Sequence, residues 1–196
     1  MAVSDGQLSM QLAADLNRYF SQLVLTYQHR LYAFALRQSG SLQDAEDIAQ
    51  EAFIRAYYAL GDYPPERIRL IKLQPWLYKI TLNVFYERLR HARLQLVPLD
   101  ITEDSLHLDI EDDWREQPDV VLENREGIRE LETLVHTLPA QYREAISLFY
   151  FEDLSYREIA ELLNCPIGTV KSTLHRGTKL LRKTLETQKR ETHGAV

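Results

Sequence analysis

The sequence predicts an all-α chain of two small helical domains joined by an acidic flexible linker, the second containing a helix-turn-helix. Three observations predict it. Apolar residues recur at three- and four-residue spacing, with no strand-like alternation and no hairpin dipeptide. A segment dense in acids and without sustained period interrupts that pattern near the middle of the 196 residues. Toward the C-terminal end, two short helical patterns flank a tight break.

Taken in order, residues 1–17 read as an N-terminal tail and 18–95 as the first domain. A first helix over about 16–38 carries Phe20, Leu23, Val24, Tyr27, Leu31 and Phe34 at helical spacing, and Gly40 ends it. A second, over 41–60, turns Ile48, Ala49, Ala52, Phe53, Ala56 and Leu60 inward. Asp44, Asp47, Glu51, Ile54 and Tyr58 form its outer stripe. Acids near a helix start favour its dipole, and Glu51 is spaced to pair with Arg55. That accounts for the charges but not for Ile54 and Tyr58 in line with them. An acidic stripe with apolar inserts suits a basic partner helix.

A loop with Pro64 and Pro65 follows, with a short turn through 68–73. Pro75 then opens a third helix to about residue 94. Its polar stripe is Lys79, Asn83, Tyr86, Arg90 and Arg93. Cations track phosphates, Asn bonds base edges and aromatic rings stack on unpaired bases, although a merely solvated basic face has the same composition. Arg88 falls on the apolar side and is expected to snorkel or to pair with Glu87 or an acid of the second helix.

Residues 96–119 read as the linker. Over 96–126 eleven acids face two arginines, whereas 63–95 carry a net +5 and 165–190 a net +6 in a chain of net charge −6. Local fields, not the total, decide which polyanion each block approaches. The second domain, 120–188, holds helices over about 120–137 and 139–151 and then the helix-turn-helix, before a short tail over 189–196. Ser155 with Glu158 is a capping box. Ile159, Ala160 and Leu163 face inward, and Asn164, Cys165 and Pro166 make the break. On the last helix Ile167, Val170, Leu174 and Leu181 share one side, and Ser172, Arg176, Lys179 and Lys183 the other. A helix with an apolar back and a cationic front, preceded by such a turn, fits the DNA major groove.

Other classes are disfavoured. No apolar run of about 18 residues marks a membrane span, and the first residues lack the basic start and apolar run of a signal peptide, so a cytoplasmic protein is expected. The single cysteine, Cys165, excludes an internal disulfide. Six scattered histidines and the lack of a Gly-rich phosphate loop leave no catalytic residue, metal site or cofactor to assign.

Three blocks in order carry a family resemblance. DAEDIAQEAFIRAY is similar to the polymerase-binding helix of extracytoplasmic-function sigma factors, the compact two-domain branch of bacterial sigma factors. PWLYKITLNVFYERLR resembles their promoter-melting helix, and LPAQYREAISLFYFEDLSYREIAELLNCPIGTVKSTLHRG their C-terminal domain. The resemblance implies no enzyme but an initiation factor. Asp44, Asp47, Gln50, Glu51 and Ile54 would dock on core RNA polymerase. Lys171, Ser172, Thr173, His175 and Arg176 would read the duplex upstream promoter element, with Lys179 and Lys183 on phosphates and Tyr156 and Arg157 adding backbone contacts. Trp76, Lys79, Asn83, Tyr86 and Arg90 would engage the melted downstream element. An inhibitory anti-sigma factor is common in the family. The competing reading is a stand-alone helix-turn-helix transcriptional regulator, which would bind duplex promoter DNA by itself.

Overall fold

The computed structural model describes residues 4–96 and 125–193, and every regular element among them is helical. Apart from Leu96, the expected linker lies outside the described residues.

The chain enters through helix α1 (Asp5–Ala14), where Ser4 and Gln7 form a reciprocal capping box. Leu8 and Leu12, four residues apart on one face, are buried against α2 (Leu16–Ser39) and α4 (Pro65–Leu70). The Asp5 carboxylate accepts from the Tyr27 hydroxyl and, at 3.3 Å, from the Gln74 N–H. The expected loose tail over 1–17 is therefore corrected: two buried leucines and one half-buried acceptor dock a ten-residue helix that is too short to be stable alone. Asp15 caps the start of α2, and Gly40 ends it in the left-handed region at φ 70°. A side chain at Gly40 would also run into the His136 ring.

Ser41 caps α3 (Leu42–Asp62). Pro64 and Pro65 then open α4, which buries Ile68 where the sequence predicts only a turn. Helix α5 (Leu73–Leu96) packs its inward side on α2 and α3. Ala35, Ala45 and Ala52 are buried there beside Ile48, Val84 and Phe85, and their small size allows close helix approach.

The second unit begins with α6 (Arg125–Thr137). The single helix predicted over 139–151 is divided into α7 (Ala140–Ile146) and a π-helical turn over Ser147–Phe151. Helices α8 (Tyr156–Leu163) and α9 (Ile167–His193) complete it, with α9 running through part of the expected 189–196 tail. At Gly177 a Cβ would sit 2.7 Å from Ile146 Cδ1 and 3.1 Å from Tyr142 Cβ, so glycine lets α9 approach α7 closely.

The apolar cores of the two units meet in one cluster: Leu31, Phe34, Leu77 and Tyr78 join Leu134, Val135, Leu148 and Ile159. A buried polar seam runs through this contact. Arg37, 4% exposed, reaches Glu132 at 3.0 Å and donates to Glu152, which is only 2% exposed. Glu152 also accepts from the Tyr78 hydroxyl and lies 3.4 Å from Arg30. Gln38 donates to the Ser147 hydroxyl at 3.2 Å. Burial pushes the Glu152 carboxyl above the usual range, while the Tyr78 hydroxyl and the Arg37 and Arg30 guanidiniums pull it down.

Leu12→Ala is expected to reduce unfolding free energy by about 2–5 kcal/mol through cavity formation. Met10→Ala, on the same helix but 56% exposed, should change it by less than about 0.5 kcal/mol. Urea melts distinguish the two. Arg37→Met should cost about 3–5 kcal/mol by leaving Glu152 charged in the interior, and pairing it with Glu152→Leu should recover much of that loss in the same assay.

Candidate nucleic-acid interface and docking stripe

The helix-turn-helix is fixed by backbone chemistry at its start and its turn. At the start of α8 the Ser155 hydroxyl accepts the Glu158 N–H at 3.3 Å while the Glu158 carboxylate accepts the Ser155 N–H at 3.1 Å. Asn164 caps the helix in the left-handed region, at φ 53°. Its side chain tolerates that conformation better than most. Ile159, Ala160, Val170 and Leu174 are buried between α8 and α9. The outward side of α9 then follows from helical period: Lys171, His175, Lys179 and Lys183 are exposed, and Ser172, Thr173 and Arg176 half-buried. Ser172 donates to the Thr169 carbonyl at 3.0 Å. The Lys171 ammonium lies 5.9 Å from the Tyr156 ring, which in turn stacks on Phe149. Arg157 is exposed beside them. Cations and small hydroxyls thus share one accessible face, suited to phosphates and base edges. Cys165 in the turn is a free, half-buried thiol, raised above its ordinary value by burial.

On α3, Asp44 and Gln50 are exposed and Asp47 and Glu51 partly so, with Ile54 at 52% and Tyr58 at 68% exposure in line with them. The acids are not bare. Arg88 reaches across from α5 to Asp47 at 3.1 Å and Asp44 at 3.9 Å, one of the pairings expected for it. Arg55 pairs with Glu51 at 2.8 Å, as its spacing predicts, and with Glu87 at 2.6 Å. Those two partners raise the Arg55 guanidinium above its ordinary value, Glu51 first. What stays unpaired on this stripe is its apolar part, which water cannot satisfy.

On α5, Lys79, Asn83 and Arg90 are exposed, and Trp76 is half-buried beside Tyr63. The guanidinium of Arg67, in α4, lies 3.6 Å from the Tyr63 ring centre. Tyr86 is placed differently from its neighbours in the stripe. It is half-buried and donates its hydroxyl to Glu144 of α7. Glu144 is 7% exposed, and burial pushes its carboxyl up to about 7. Lys72, just before α5, bonds Glu158 of α8 at 2.8 Å. That ammonium, with Ser155, holds the Glu158 carboxyl down at about 2. These contacts tie the first unit to the second and escaped the sequence reading. The one signal available was Arg37, three residues after buried Phe34 and so facing inward on α2.

Two family models match, Sigma-70 region 2 over residues 23–95 and Sigma-70 region 4 over residues 128–181. The chain belongs to the extracytoplasmic-function sigma factors. It is 37% identical to the ECF RNA polymerase sigma factor SigW of Bacillus subtilis, over 85% of this chain and 88% of that one. It is 34% identical to the RNA polymerase sigma-H factor of Pseudomonas aeruginosa, over 95% and 96%. Among solved structures it resembles the sigma factor RpoE of Bartonella quintana, determined in complex with the anti-sigma factor NepR. That likeness has a TM-score of 0.63 and 26% identity over 85% of this chain and 96% of that one. The protein is therefore a sigma factor that directs promoter-specific transcription by RNA polymerase, and the stand-alone regulator is not favoured. Sigma factors in general are not enzymes. Among the described residues no helix is long and apolar enough to cross a membrane.

Ser155→Ala should lower stability by about 1 kcal/mol through loss of the cap, while leaving every exposed cation of α9 in place. Lys72→Met should return the Glu158 carboxyl toward the usual carboxylate range. The sign follows from the lowered value of Glu158: its contribution is present above about pH 4.5 and is lost as pH falls toward about 2. Side-chain NMR titration of Glu158 in both proteins checks this.

Proposed function

We propose the following division of labour for this sigma factor. Residues 18–95 form the unit that docks on core RNA polymerase and holds the melted strand. Residues 120–188 form the unit that reads duplex DNA upstream. Docking is assigned to Asp44, Asp47, Gln50, Glu51 and Ile54, duplex recognition to Lys171, Ser172, Thr173, His175 and Arg176, and phosphate contacts to Lys179 and Lys183. Tyr156 and Arg157 add contacts beside the recognition helix. Trp76, Lys79, Asn83, Tyr86 and Arg90 engage the unpaired downstream strand. No catalytic step or cofactor is required of the chain, which works in the cytoplasm with the polymerase. By analogy with the RpoE–NepR complex, an inhibitory anti-sigma factor is a further partner.

The observation that carries the docking assignment is the pair Ile54 and Tyr58. Large apolar groups exposed in line with acids whose charges are already partly matched call for a partner that covers them. Tyr86 needs a different account, because its hydroxyl is held by Glu144. Its assignment requires that contact to be released before the ring can stack on a base.

Glu51→Lys should abolish binding to core polymerase, measured by co-migration on size exclusion, while circular dichroism stays helical. Binding that survives refutes the docking assignment. Arg176→Ala should weaken promoter-specific binding of the holoenzyme by about 1–3 kcal/mol on the cognate sequence. An equal loss on every sequence would make it a phosphate contact. That binding should also weaken steeply as salt rises.

A further inference from the structure

We propose that the contact between Tyr86 of α5 and Glu144 of α7 is a proton-held clasp, which keeps the free chain closed and opens as Glu144 ionises. The geometry sets the terms. Glu144 is buried, and the one hydrogen-bond partner of its carboxyl among the described residues is a neutral hydroxyl from the opposite unit. Either protonation state keeps the bond to Tyr86, since carboxylate and carboxyl both offer an oxygen that accepts its hydroxyl. What the closed site lacks is a counter-charge: no described cation forms an ion pair with Glu144, and loss of water on burial disfavours the carboxylate, so ionisation favours the open form in which water reaches it.

The charged groups nearby are turned elsewhere, although the buried Nε of Arg143 has no partner among the described residues. Arg143, next to Glu144, is turned to the His136 carbonyl at 3.0 Å, and the His136 ring lies on the Arg37 carbonyl at 3.2 Å. From α2, Arg37 and Arg30 go to Glu152, and from the start of α5 Lys72 goes to Glu158. From α9, Gly177 and buried Thr178 pack toward α7, and Arg176 beside them is half-buried and itself engaged; on α5, Lys79 and Arg90, which share the stripe of Tyr86, are exposed to solvent.

The direction follows. The closed form holds the Glu144 proton up to about pH 7, whereas a solvated glutamate releases it near 4.5. Closure is therefore strongest below about pH 4.5 and weakens as pH rises toward about 7, by up to about tenfold in the closed-to-open ratio per pH unit. Above that it is constant at its weakest. Glu158 acts in the opposite sense but below this range, since its carboxyl is held at about 2. Glu152, also raised, acts in the same sense as Glu144 and is the group to separate from it. The consequence for promoter melting rests on the assignment of Tyr86 above; closure itself does not.

The test uses the full chain without polymerase or DNA. In a Cys165→Ser background, donor and acceptor dyes on Gln43→Cys and Glu161→Cys report the distance between the units from pH 5 to 8. The parent protein should open progressively up to about pH 7 and then level off. Adding Glu144→Gln, which stays neutral and retains an acceptor for Tyr86, should remove most of that dependence. Glu152→Gln and His136→Asn should each leave most of it. Helical circular dichroism and a cooperative melt identify each variant as folded. A pH-independent distance in the parent protein overturns the clasp, as does a slope in Glu144→Gln equal to that of the parent. If the distances behave as expected but Tyr86→Phe and Tyr86→Ala support open-complex formation equally at pH 8, the clasp stands and the stacking role of Tyr86 fails.

Discussion

The buried pair of Arg37 and Glu152 is the constraint around which the rest of the molecule is arranged. A guanidinium and a carboxylate deep in a helical protein lose most of their hydration, and only close mutual geometry offsets that loss. Here the acid also takes the Tyr78 hydroxyl and lies close to Arg30, so helices α2 and α5 converge on one residue of the second unit. That residue follows the π-helical turn and precedes the helix-turn-helix. The apolar contacts around it supply most of the attraction, being numerous and non-directional. The ion pair instead fixes how the two units are turned, because an apolar seam alone would slide at little cost.

The same principle separates the two charged stripes of the first unit. On α3 the acids sit at the surface with their own cations, where such pairs contribute about 0–1 kcal/mol each and are easily exchanged. What water does not satisfy there is the exposed Ile54 and Tyr58 side chains, on which the proposed docking rests. On α5 the outward polar groups are equally solvated until Tyr86, where the second unit closes over the stripe. A face that looks uniform along one helix is divided by a neighbour more than fifty residues away in sequence.

That contrast shows what was legible in the chain. Caps and turns were, because their chemistry is local: Ser155 with Glu158, Asn164 and Gly40 each satisfy or bend the backbone within a few residues, whereas Ser41, read as the first residue of its helix, proved to be the cap. So were the inward faces of α2 and α3, where long apolar stripes leave one choice, and that of α9 except for Ile167, which sits in the first turn and is 40% exposed. Helix α1 was missed because two leucines in ten residues make a weak periodic signal, and its stability comes from α2 and α4 instead. The division of the 139–151 helix and the polar seam were missed for a related reason. Pairings between Arg37 and Glu152, or Tyr86 and Glu144, join residues with no spacing rule between them. Arg88 was half legible: its place on the apolar side demanded a partner, and only the fold chose Asp47 over Glu87.

Gly177 carries a consequence of another kind. It lies on the side of α9 that touches Tyr142 and Ile146, two residues from His175 and from Lys179, which face solvent on the other side. Structural obligation and outward chemistry therefore occupy different positions of the same helix. The glycine side alone sets how closely α9 approaches α7. Substitutions on the outward positions therefore change what the helix presents to solvent without touching its contact with α7.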